Sequence, residues 1–166
     1  MINAIGNIIG RTLSGGAPPA STLLDGLVHV WKLDESGTSV NDLRMDSVGG
    51  IHLTPSATLM TQAAGKSGLA YTNNGQSRYL FADSQQMRDI VDSSFTFSCW
   101  LRLTSLSKTA AILNCWNAHG VDDRSYALAF QTGVGLRWIL STDGIGMINP
   151  IIVLPDAGVW YHVVFG

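Results

Sequence analysis

Charge is scarce in this chain of 166 residues: Asp, Glu, Lys and Arg make up 13% of it, against about 25% in an ordinary globular protein. The net charge is -2, and no run of Lys or Arg occurs. Such a chain offers no electrostatic footprint for nucleic acid or for an anionic membrane surface, so neither is expected as a partner. No apolar run approaches the roughly 18 to 20 residues that span a bilayer as a helix. Glutamate is nearly absent, with Glu35 the single one among twelve acidic residues. Cysteine is limited to Cys99 and Cys115, too few for a disulfide framework and not in a zinc-ligand spacing. If Phe95 to Leu103 and Ala110 to Cys115 form a hairpin centred near Ser107, the two thiols face each other. The reading preferred on packing grounds is two half-buried thiols acting as small hydrophobes.

What is present divides at residue 22. Ile2, Ile5, Ile8, Ile9 and Leu13 fall near helical spacing, yet Gly6 and Gly10 each cost about 1 kcal/mol relative to Ala inside a helix. Asn3 and Asn7 break the continuous apolar core that a secretory signal needs, and Arg11 follows it instead of preceding it. Residues 1–22 are therefore expected to be an apolar arm that ends in a Gly/Pro linker, Ser14 to Ser21. Such an arm suits docking through Ile2, Ile5, Ile8 and Ile9 against a larger partner, and otherwise it is a frayed tail.

Residues 23–166 suit one all-β domain. Short β-rich runs alternate with Gly, Asn, Asp and Ser clusters every 8 to 15 residues or so, the pattern of an antiparallel β-sandwich or jelly roll. Strands are expected at Leu27 to Leu33, Ile51 to Thr54, Leu69 to Tyr71, Tyr79 to Phe81, Phe95 to Leu103, Ala110 to Cys115, Tyr126 to Gln131, Leu136 to Leu140, Ile151 to Leu154 and Val159 to Phe165. In the first, His29, Trp31 and Leu33 share one face and Val28, Val30 and Lys32 the other. Phe95, Phe97, Cys99, Leu101 and Leu103 alternate with Thr96, Ser98, Trp100 and Arg102, so the first set faces inward.

Five landmarks then stand in order: Val28 to Leu33 leading into Asp34-Glu35-Ser36-Gly37-Thr38 and Asp46-Ser47-Val48-Gly49; Gly65-Lys66-Ser67-Gly68-Leu69; Phe95-Thr96-Phe97-Ser98-Cys99-Trp100; Ser125-Tyr126-Ala127-Leu128; and Trp160-Tyr161-His162-Val163. Together they resemble the laminin-G-like branch of the concanavalin A-like lectin/glucanase superfamily, over almost everything after the linker. The resemblance implies a jelly roll, and it implies further strands after the Trp-x-His-Val strand. On that view the sandwich is incomplete at its C-terminus, with strand edges left open for more chain or for a partner.

Glycoside hydrolysis needs a pair of carboxylates flanking the scissile bond. The glucanases of that superfamily carry Glu-x-Asp-x-x-Glu on one strand, which a chain with one glutamate cannot hold. His29, His52, His119 and His162 are scattered, and no Ser/His/Asp or Cys/His set or phosphate loop stands out. The chain is not expected to be an enzyme.

Asp34, Glu35, Asp42 and Asp46 cluster within a short span and are candidates for Ca2+, which takes six to eight oxygen ligands; Asp is equally an ordinary turn former. The segment from Asn114 to Arg124 mixes an aromatic with amides and charges, as a sugar site does. Trp116 would be its platform, with Asn117, Asp122 and Arg124 as polar contacts. The alternative places Trp116 in the core together with Trp31, Trp100, Trp138 and Trp160.

The order of arm, linker and laminin-G-like domain looks like that of virion-associated proteins of tailed bacteriophages. It leads to the expectation of a non-catalytic virion structural protein, a homo-oligomer docked on other virion proteins by its arm and displaying a lectin-like domain to cell-surface glycans. The alternative is a carbohydrate-binding module of a secreted bacterial protein or enzyme.

Overall fold

The computed structural model describes residues 2–12, 26–37, 41–56, 61–72, 79–82, 84, 87, 94–116, 124–141, 148–153 and 155–166, with residues 2–12, 116, 124, 125 and 153 described by their backbone course. Every named element is a strand: β1 (Ile2–Thr12), β2 (Leu27–Trp31), β3 (Thr54–Pro55), β4 (Thr61–Ala64), β5 (Leu69–Thr72), β6 (Leu80–Phe81), β7 (Phe95–Leu103), β8 (Ala110–Trp116), β9 (Arg124–Gln131), β10 (Gly135–Leu140), β11 (Ile151–Val153) and β12 (Trp160–Phe165). All of their pairings are antiparallel. One sheet runs β12-β7-β1-β5-β4, with β2 also on β1; a second runs β11-β10-β9-β8; β3 and β6 form a small pair.

The sheets meet through aromatic side chains whose positions follow from period-two alternation. Phe95, Phe97, Cys99, Leu101 and Leu103 of β7 are all buried, as their alternation requires. From the other sheet Tyr126, Leu128 and Phe130 of β9 and Leu136 and Trp138 of β10 complete the core. Trp138 reaches across to Phe165 of β12, with ring centroids 4.1 Å apart, and lies 6.1 Å from Phe95. The arrangement is an all-β antiparallel sandwich, built of small sheets that do not close.

The Ile-rich N-terminal segment, expected as an apolar docking arm, is a strand of the sheet. It is β1, inside the six-stranded sheet: Ile5 is in register with Leu101 of β7 on one side and with Tyr71 of β5 on the other. Farther along, Ile8 and Ile9 pair with Trp31 and Val30 of β2. The physical reason is that β-branched isoleucines fit a pleated ladder while Gly6 and Gly10 penalise a helix.

The β7–β8 hairpin is also corrected. Consecutive β7 and β8 belong to different sheets, β7 between β12 and β1 and β8 beside β9. Cys99 and Cys115 are both free thiols, and burial pushes the Cys99 thiol up to about 12.

Candidate functional site

The acidic turn is best built outward from Asp46. Its Oδ1 accepts the amides of Val30 (2.9 Å), Val48 (3.0 Å) and Gly49 (3.0 Å), while Oδ2 accepts the Ile51 amide (3.0 Å) and His29 Nδ1 (2.6 Å). A carboxylate only accepts, so Nδ1 of His29 carries the proton. Burial alone would raise this carboxyl, but the amides of Val30, Val48 and Gly49 and the His29 contact outweigh it and hold it well below the usual carboxylate range. The Asp46 amide in turn donates to Nδ1 of His52 (3.1 Å). His29 stacks on Trp31 with ring centroids 5.2 Å apart, and Trp31 Nε1 donates to the Ile51 carbonyl (2.6 Å). Gly49 must be glycine because a methyl there would run into the His29 ring and the Val28 carbonyl.

Arg44 is the second anchor, fully buried. Its Nη2 donates to the Gly37 carbonyl (2.5 Å) and the Tyr71 hydroxyl (3.1 Å), Nη1 reaches the Glu35 carbonyl (3.4 Å), and the guanidinium lies 4.6 Å from the Tyr71 ring centroid. Glu35 Oε1 accepts the Met45 amide (2.8 Å), and the Gln62 side chain donates to the Glu35 carbonyl. The loop after β2 is thus tied down by main-chain hydrogen bonds. Asp46 has no oxygen left for a cation, and among the described residues no three of His, Cys, Asp and Glu gather as a metal requires. Asp34, Glu35, Asp42 and Asp46 are neighbours in chain, but the structure does not bring them together as a ligand set.

Of the expected sugar loop, Trp116 ends β8 and is in register with Arg124, the first residue of β9; Asn117 and Asp122 lie outside the described residues. Ile2, Ile5, Ile8 and Ile9 are in β1, as above.

A different surface draws together aromatic and cationic groups that the expected core assignment had separated. Trp31 and Trp138 are buried, but Trp100 and Trp160 are only partly covered and lie on the outer face of the β7–β12 pair. There Trp160 is in register with Arg102, His162 with Trp100, and Val164 with Ser98. The Arg102 guanidinium sits 5.1 Å from the Trp160 ring centroid. Trp100 stacks on His162 at 5.0 Å, and Lys66, from the turn between β4 and β5, places Nζ 5.1 Å from the same indole. Ser98 Oγ and His162 Nε2 are hydrogen-bonded at 2.7 Å. Among the described residues no carboxylate contacts His162. The signal for this face was in the sequence: Trp100 and Arg102 alternate with buried Cys99 and Leu101, and Trp160, His162 and Val164 with inward Tyr161, Val163 and Phe165.

No protein-family model, curated protein or solved structure matches the chain.

Proposed function

We propose that the chain is a non-catalytic, lectin-like sandwich of the concanavalin A-like jelly-roll type that binds glycans on the outer face of β7 and β12 and is displayed by a larger assembly, a virion appendage being the setting. The observation that carries the binding reading is the ladder of Trp160, Arg102, Trp100, His162 and Lys66. Partly open indoles beside fixed hydrogen-bond donors are what a sugar needs, since its C–H faces pack on aromatic rings and its hydroxyls seek polar partners. The non-catalytic reading is supported by the engagement of Asp46 with five donors and by the lone glutamate, whose Oε1 is occupied by a main-chain amide. The setting rests on the resemblance of the segment order in the sequence alone and draws nothing from docking by residues 2–12, whose backbone is β1 of the sheet; a carbohydrate-binding module of a secreted protein would use the same face.

A glycan array tests the reading. Binding by the intact chain that falls at least about tenfold in Trp100→Ala, roughly the worth of one stacking contact and its hydrogen bonds, supports it. A blank array for the folded wild type removes it. Probing purified particles for the chain tests the setting separately.

A further inference from the structure

The charge on that outer face narrows the class of glycan. Among the described side chains, those that bring positive charge to it are Lys66 and Arg102, and neither makes an ion pair among the described residues. Of the described acids, Asp156 accepts from the Tyr161 hydroxyl (3.3 Å), and Asp34 lies against Gly68 without an ion pair to Lys66. The Arg102 Nε is buried and without a hydrogen-bond partner, as are Arg44 Nε and Glu35 Oε2, so a ligand would meet the remainder of the half-buried Arg102 guanidinium. Both cations lie over indoles, Arg102 half-buried and Lys66 exposed, contacts that favour these positions only weakly where exposed. On β7, Trp100 and Arg102 are two residues apart, so the two cationic stations are spaced by about 7 Å along the strand. Across from them β1 has Gly6 in register with Trp100 and Ala4 with Arg102.

We infer that this face selects acidic polysaccharides, those bearing uronate or sialate carboxylates, and does so without a metal ion. The inference rests on the glycan-binding reading above. The carboxylates are received by Arg102 and Lys66, and the adjoining sugar rings meet the edges of Trp100 and Trp160. Two fixed cations on a chain of net charge -2 are too few for nucleic-acid binding, which draws its affinity from many neutralised phosphates. The same scarcity argues against a charged membrane surface, where each basic residue adds only about 1 kcal/mol.

The test measures binding of the 166-residue chain to polygalacturonate and polysialic acid, with amylose and xylan as neutral counterparts, double-stranded DNA and phosphatidylserine vesicles as other polyanions, and EDTA present or absent. Expected is binding to an acidic polymer that is unchanged by EDTA and falls at least tenfold in Arg102→Gln and in Lys66→Gln, with thermal unfolding of both variants confirming that they fold. Binding to neutral glycans alone overturns the acidic selectivity and leaves the lectin reading standing, whereas binding to no glycan overturns both. Loss of binding in EDTA, or equal binding to DNA or vesicles, overturns the inference. So does acidic-polymer binding that both Gln variants retain.

Discussion

At the scale of single residues, Asp46 has the most demanding role, because one carboxylate closes the turn after β2 and holds His29 against Trp31. Replacing Asp46 by Asn sets an NH2 group against donors and leaves buried amides unpaired, at about 3 kcal/mol. The sign of the pH effect follows from the direction of its shift. The folded-state value lies below the unfolded one, so Asp46 contributes stability at every pH above about 4, the ordinary value, and this contribution is lost as pH falls from there toward the folded value. Denaturation midpoints measured from pH 7 down to pH 2 are therefore expected to drop more steeply for the wild type than for Asp46→Asn; parallel curves would mean that another group carries the acid sensitivity. Leu33 shows a different residue-scale balance. Fully buried, it holds a left-handed backbone at φ 60°, a strain of about 1–3 kcal/mol that its burial in the core offsets.

At the scale of elements, β1 is the keystone of its sheet, since β7 and β5 are joined only through it among the described pairings. A proline at Gly6 removes an amide from a strand flanked on both sides, and chemical denaturation is expected to register a loss of about 2–3 kcal/mol. An unchanged midpoint would place residues 2–12 outside the sheet. The same strand explains what the sequence leaves unread. Its isoleucines at 2, 5, 8 and 9 fit a helical period, and its partner in β7 lies about ninety residues away, where no local signal reports the pairing. By contrast β7 was legible to the residue, because five inward side chains alternate without a break. β4 was missed because Thr61-Gln62-Ala63-Ala64 has no alternation and is held by its hairpin with β5, closed where the Gly65 amide donates to the Gly68 carbonyl (2.9 Å). The outer face of β7 and β12 was half legible. The alternative that gathers the tryptophans in a core places Trp100 and Trp160 inside, while the alternation of their own strands turns them outward.

At the scale of the whole molecule, cohesion between the two sheets is concentrated in the aromatic core. Trp138 touches Phe95, Phe97 and Phe165 across the interface and Tyr126 within its own sheet. Trp138→Ala is expected to cost about 3–5 kcal/mol, a large part of the 5–15 kcal/mol that holds a typical domain together. Calorimetry would detect it as a marked fall in the unfolding temperature; a shift of a degree or two would show that the sheets are held by something else. The position of β1 bears on how the molecule is made as well as on how it is held. During synthesis Ile2 leaves the ribosome about 5–20 s before Leu103 at ordinary elongation rates, so the central strand exists throughout that interval without the neighbour that fixes its register. An isoleucine-rich segment left waiting in this way is exposed to chaperones and to other nascent chains. The yield of folded protein should therefore depend on the speed of translation and on chaperone supply more than its final stability would suggest.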